Sequence, residues 1–195
     1  MIDLSNENVW LVSDTHFNHK KLCMNEEVHF DRTRNYKYVD EMNTDMIAKW
    51  NESIKDDDIV IFMGDFLMGT PIYKLEDEFH KYYDALNKGK KMYWIAGNHD
   101  TLIMKLLGIE MVYDMMFMKD NDLYVLQHRD FTEDQHRMPY CEYDKHVKFV
   151  HGHTHFPGKI STFHYKDMTL VQNNVCWDAW YRPVNVSELK GCIGG

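Results

Sequence analysis

No stretch of this 195-residue chain stays apolar for the ~18–20 residues that a membrane-spanning helix needs, so no such helix is expected. Met1-Ile2-Asp3-Leu4-Ser5 lacks a basic segment leading into an apolar core. A secretory signal is therefore not expected, and the expected compartment is the cytoplasm. Cysteine is sparse: Cys23, Cys141, Cys176 and Cys192 are scattered without a C-x-x-C pair, which argues for reduced thiols over a disulfide framework or a zinc knuckle. Positive charge is also short, with 22 Lys and Arg against 31 Asp and Glu and a formal net charge of -9. Such a chain has no surplus basic face for a phosphate backbone, and no stable nucleic-acid partner is expected. Repeats, low-complexity segments and linkers are absent. The expectation is one domain over residues 1–195, with 190–195 a frayed tail.

The chain does carry 44% hydrophobic and 27% charged residues, as a globular protein does, and twelve histidines, the commonest metal-ligating side chain. Around Trp94-Ile95-Ala96-Gly97-Asn98-His99-Asp100, an apolar run stops at a glycine and three polar side chains follow at once. Glycine lets the backbone turn sharply there, and the turn can present an amide oxygen beside an imidazole. The same event recurs four times. Val9 to Ser13 ends in Asp14-Thr15-His16, and Ile59 to Met63 ends in Gly64-Asp65. Leu123 to Gln127 ends in His128, and Val147 to Val150 ends in His151-Gly152-His153-Thr154-His155.

Between these runs, Val39, Met42, Met46, Ile47, Trp50 and Ile54 fall at helical spacing and predict an amphipathic helix over roughly 39–54. Thr70-Pro71 reads as a capped start of a second helix whose stripe is Ile72, Leu75, Phe79, Tyr83 and Leu86, stopped by Gly89. Thr101 to Leu107 reads as a short helix closed by Gly108. Met115 to Lys119 and Leu123 to Gln127 read as a hairpin, and Met168 to Val175 as a late strand. A helical turn capped by Ser187 follows Pro183, and residues 22–36 read as a loop with a poor helix in it. Met115, Met116 and Met118 read as core and hairpin packing, and Asp56-Asp57-Asp58 as a solvated loop. Early strands alternating with helices, then a hairpin-rich half, predict an α/β fold of stacked sheets flanked by helices, with ligands beyond the strand ends.

Collected, the candidates are Asp14, His16, Asp65, Asn98, His128, His153 and His155. They are too many for one tetrahedral zinc. Two five- or six-coordinate ions sharing a carboxylate would use them all. His153 and His155, two apart, would point the same way on an extended segment. His128 is a lone strand-end histidine that His136 or His146 could replace. His19 either lines the pocket or sits in a solvated loop, and His151 and His164 stay unassigned. Arg129 either clamps phosphate or forms a surface salt bridge. Asp100 either orients His99 or caps the following helix, and the cap is the preferred reading.

These blocks resemble the calcineurin-like metallophosphoesterase superfamily, whose signature runs D-x-H, G-D, G-N-H-[DE], H, G-H-x-H. All five occur in order between Asp14 and His155, and Asp14-Thr15-His16-Phe17 followed by His19 resembles its small stand-alone bacterial and phage members. The resemblance implies a four-layer αββα fold with two stacked mixed sheets. It implies that Asp14, His16 and His155 bind one metal, that Asn98, His128 and His153 bind a second, and that Asp65 bridges them. His99 would face the substrate as general acid or electrostatic partner. Mixed Asp, Asn and His donors suit Mn²⁺, with Fe, Zn or Ni as alternatives.

The implied reaction is phosphoester hydrolysis by a hydroxide held between two cations. Bound cations reverse the local sign, so the acidic chain does not exclude an anionic substrate. After Gly64-Asp65 comes Phe66-Leu67-Met68-Gly69 and not the D-R-G of protein Ser/Thr phosphatases, which argues against that subgroup. Nor is the added capping or DNA-binding domain of the repair nucleases expected. The expectation is a small phosphorylated substrate, a diester in preference to a monoester. A single-strand nuclease and a non-catalytic scaffold are the rivals. The retained His99 weighs against the scaffold.

Overall fold

The computed structural model describes residues 1–23, 34–132 and 143–193. His136 and Cys141, and most of the loop read at 22–36, lie outside the described residues.

The apolar runs form the centre. β1 (Ile2–Asp3) precedes β2 (Val9–Val12). α1 (Val39–Ser53) leads to β3 (Ile59–Phe62), and α2 (Leu75–Tyr83) leads to β4 (Lys91–Trp94). α3 (Thr101–Leu107) is followed by β5 (Asp114–Lys119), β6 (Asp122–Gln127), β7 (Val147–His151), β8 (Ile160–Tyr165) and β9 (Met168–Asn174). α4 (Trp177–Trp180) and β10 (Val184–Asn185) end the order. Among the described residues these strands make two mixed sheets. One runs β10-β2-β3-β4 and the other β1-β5-β6-β7-β9-β8. β2, β3 and β4 are mutually parallel, as are β6, β7 and β9, while β5/β6 and β8/β9 pair antiparallel.

β2 and β3 are buried on both faces, which is why they read as unbroken apolar runs and not as alternations, whereas β4 is buried only towards Trp94. Leu11, Ile59, Ile61 and Met63 face Phe117, Tyr124, Leu126 and Val150 of the other sheet. Val12, Val60, Phe62 and Trp94 face the helices, against Met42, Met46, Trp50 and Phe79. Each buried side chain of this size contributes about 1.5–3 kcal/mol. The outer face of the six-stranded sheet carries a third cluster of Val125, Phe149, Phe163 and Leu170. Among the described residues it packs against Phe131, Tyr143 and Cys192 and not against a helix. No helix among the described residues is long and apolar enough to cross a membrane.

α1, α3 with its left-handed Gly108, and the β5/β6 hairpin lie where the periodicity puts them. Other details differ. Thr70-Pro71 does not open α2: a 3-10 turn at Ile72–Lys74 intervenes and Ile72 is exposed, because the Thr70 hydroxyl accepts from Asn18 and caps nothing. The turn at Val186–Glu188 is capped by Asn185, with Glu188 completing a capping box, and Ser187 is only the donor. Asp58 is not solvated: buried, it accepts from Asn8, Trp10 and Lys55. Met115 is core, but Met116 points outward. Residues 191–193 are not frayed, since Cys192 is buried and bonds through its backbone to Val147 and Val171. β8 has no strong sequence signal because most of its residues are exposed on an edge strand.

Candidate metal centre

The strand ends converge. Asp14 follows β2, Asp65 follows β3, Asn98 follows β4, His128 follows β6, and His153 and His155 follow β7. The carboxyl edges of the two sheets meet there, joined by a parallel bridge between Ser13 and Cys176. Two groups of side chains could each hold a metal ion: Asp14, His16 and His155, and Asp65, His128 and His153. In each the donor atoms lie within 4.8 Å of one another.

In the first group His16 Nε2 and His155 Nε2 are 3.0 Å apart and lie 3.7 and 3.6 Å from Asp14 Oδ1. Asp14 divides its two oxygens. Oδ2 accepts from Ser13 Oγ, the His153 amide and the Cys176 thiol, whereas Oδ1 is buried without a hydrogen-bond partner. Asp65 divides its oxygens in the same way. Oδ1 accepts from the His99 amide at 2.8 Å, while Oδ2 faces His128 Nε2 at 3.4 Å, His16 Nε2 at 3.5 Å and His99 Nε2 at 4.0 Å. Asp65 thus stands between the groups. His128 Nδ1 donates to the Met63 carbonyl, so its Nε2 is the nitrogen that turns to Asn98 Oδ1 at 3.1 Å. Buried acceptors facing one another are costly unless a proton or cation lies between them. The orphaned Asp14 oxygen and the converging imidazole nitrogens fit divalent ions with a taste for N and O donors.

The backbone gives independent support. Asp14 (φ 58°), His16 (46°), Asp65 (61°), His153 (68°) and His155 (50°) are all left-handed, a conformation that costs a non-glycine residue about 1–3 kcal/mol. The left-handed turns aim side chains of nearby residues into one space. This changes the reading of His153 and His155: the segment is not extended, and the two histidines serve different groups. Close approach also dictates the glycines. A Cβ on Gly97 would sit 2.1 Å from Asp65 Oδ1, and one on Gly152 would sit 2.1 Å from Ser13 Oγ.

Burial disfavours charge on His16, His128, His153 and His155, and local carboxylates decide the outcome. His16 stays well below its ordinary value because burial dominates over Asp65. His128, opposed by burial but paired with Asp65 and near Asp14, is pushed up to about 9. Burial also acts against Asp65, yet His128 and His16 hold it at about 2.

A cavity of about 430 Å³ opens over the centre, and Lys21, Leu22, Met68 and Thr154 line it beside the histidines. His99 enters it with its side chain 39% exposed, and His19 enters it too, 5.5 Å ring to ring from His16. Burial and the Arg34 charge lower His19 to about 4, leaving its imidazole neutral. Arg129 does not reach this cavity. It lines a neighbouring one of about 380 Å³ with Tyr113 and His128, and Asn98 lines both. His146 pairs with Asp122 away from the centre and so does not replace His128. His151 is buried with Nδ1 donating to the Gly152 carbonyl, and His164 lies exposed on β8.

Three supporting residues escape sequence reading. Asp100 stands at the N-cap position of α3, as its place in the sequence suggests, but its side chain makes no capping hydrogen bond. Its carboxylate accepts from the amides of Asp65, Phe66 and Gly97 and laces two strand-end turns together. Asp178 accepts from His155 Nδ1 at 2.8 Å and pairs with the buried Arg34 at 3.0 and 3.1 Å. Arg34 in turn donates to the carbonyls of Asp14 and Thr15.

The molecule is thus an α/β protein of two sheets with two metal-suited side-chain groups at its strand ends. The chain matches the family model for calcineurin-like phosphoesterases over residues 7–190, and it belongs to that family. An uncharacterized protein from Methanocaldococcus jannaschii is 34% identical over 110 residues, 55% of this chain and 54% of that protein, so the chain spans about half the length of this curated relative. A crystal structure of a protein of unknown function from Aquifex aeolicus shares the fold at 19% identity and a TM-score of 0.58, covering 94% of this chain and 97% of that one. A Vps29 mutant from Entamoeba histolytica matches at 15% identity over 84% of this chain and 72% of that chain, with a TM-score of 0.37.

Proposed function

We propose that this phosphoesterase is dinuclear and hydrolyses a small phosphodiester. The observation that carries the reading is the Asp65 carboxylate, which faces His16 of one group and His128 of the other beneath a cavity containing His99. Asp14, His16 and His155 would hold one ion, Asn98, His128 and His153 the other, and Asp65 both, with Mn²⁺ favoured. When bound, such a pair of ions activates water and neutralises charge on phosphoryl oxygens.

The chain's own groups do the rest. His99 is tied to the shared carboxylate by its backbone amide, and its imidazole lines the cavity. There it protonates the departing oxygen, a role worth about 10²–10⁴-fold in rate. His19, neutral, and Lys21 offer the substrate a polar and a cationic wall, while Leu22 and Met68 exclude water. Arg129 serves the far side of Asn98. Cavities on both sides of Asn98 give two arms of an ester somewhere to go, which favours a diester over a monoester.

The test is turnover of a bis-aryl phosphate and of the matching mono-aryl phosphate with added Mn²⁺, in wild type and His99→Ala. Metal-dependent turnover, faster on the diester and lost in the variant, is expected. No metal-dependent hydrolysis of either ester sinks the reading, and preference for single-stranded DNA or RNA would replace it with a nuclease.

A further inference from the structure

The Asp14, His16 and His155 group hangs on two residues that line neither cavity beside the centre. Arg34 and Asp178 are fully buried and lie 144 positions apart in sequence. The guanidinium meets the carboxylate with two nitrogens on two oxygens, at 3.1 and 3.0 Å. Two further donors go to main-chain carbonyls, of Thr15 at 2.6 Å and of Asp14, and Nη1 also faces the Met46 sulfur at 3.4 Å. Asp178 Oδ2 also accepts from His155 Nδ1 at 2.8 Å. One charged pair therefore touches the turn bearing Asp14 and His16 and the ring of His155.

A buried ion pair adds little stability over apolar side chains of the same size. This pair supplies direction instead. The hydrogen bond from His155 Nδ1 fixes that tautomer and leaves the Nε2 lone pair facing Asp14 Oδ1, 3.6 Å away. The carbonyl contacts hold Asp14 and His16 in left-handed turns that would otherwise relax. The other group is braced differently: Asp65 through Asp100, which accepts from its amide, and His128 through the Met63 carbonyl.

We propose that Arg34 and Asp178 are positioning residues dedicated to one half of the centre, so that the two ions are secured by separate devices and can be lost one at a time. This rests on the dinuclear reading above.

The test is calorimetric titration of the full chain with Mn²⁺, together with metal content after gel filtration. It compares wild type, Asp178→Asn, the charge-neutral double variant Arg34→Gln with Asp178→Asn, and His128→Gln as the opposite control. Wild type is expected to take two ions. The two Asp178 variants are expected to keep one at wild-type affinity and bind the other about 10–100-fold more weakly. His128→Gln should weaken the other ion. The retained ion doubles as a report that the protein is folded.

Equal weakening of both ions, or no weakening, overturns the proposal. So does a double variant that cannot fold, since the pair would then be a stability element. If Asp178→Asn alone fails to fold because Arg34 is left uncompensated, the double variant decides. A wild type that binds two ions but hydrolyses no ester refutes the phosphoesterase reading and leaves this one standing, whereas a wild type that binds none removes both.

Discussion

The two halves of the centre solve the same problem with different materials. Asp14, His16 and His155 are held by side chains, a charged pair assembled from opposite ends of the chain. Asp65 and His128 are held through main-chain contacts: the Asp100 carboxylate gathers three amides, and the Met63 carbonyl accepts from His128 Nδ1. The halves are stitched by the His16 amide to the Asp65 carbonyl and by the His153 amide to Asp14. Left-handed backbone occurs in both, so strain does not distinguish them. What distinguishes them is how a single substitution is felt, through an uncompensated charge on one side and through stranded amides on the other.

Substitutions can break this comparison at graded cost. Asp65→Asn, which strikes the carboxylate between the halves, should abolish uptake of both ions. Its loss of activity should exceed the about 10²–10⁴-fold of a missing general acid, read by metal content and turnover together. His99→Ala should lose about that 10²–10⁴-fold in kcat while both ions bind as before, and altered metal content would show that His99 belongs to the centre itself. Next comes stability. Asp178→Asn leaves a buried guanidinium unpaired and should cost about 3–5 kcal/mol in urea unfolding of the metal-free protein. Asp100→Ala strands three amides and should cost about 3 kcal/mol or more; near-neutral melting of either would remove that brace.

A pH series sharpens the same contrast. The folded His128 value of about 9 lies above the ordinary 6.5. Its contribution to metal-free stability is therefore fully present below about pH 6.5 and lost as pH rises through about 9. The apo protein should melt at lower temperature at pH 9 than at pH 6.5, and His128→Gln should flatten that slope. Arg129→Ala, outside the central cavity, should have the smallest effect, a few-fold rise in KM with kcat unchanged.

Much of this was legible because the chemistry sits on local signals. An apolar run that ends in Gly-Asp or in His-x-His is visible without knowing what it packs against, and the five runs became strands that meet at one edge. Asp100 holds the cap position that was read, but its role as a brace was hidden because a helix cap and a turn brace use the same short carboxylate, and two of its three partners are 34 and 35 positions away. Arg34 and Asp178 were invisible for a stronger reason. A single buried arginine in a polar stretch has no period, and its partner is 144 positions off. The Thr70-Pro71 start failed because Asn18, from another loop, claimed the threonine hydroxyl.

The residue order alone determined which side chains stand at the strand ends, since hydrophobic burial fixes where an apolar run must stop and a polar turn begin. It also determined the family through the order of those turns. The folded chain decided the allocation: which histidine faces which carboxylate, which arginine goes inside, and which aspartate is shared. Those choices depend on distances between segments far apart in sequence, and only packing of the two sheets sets them.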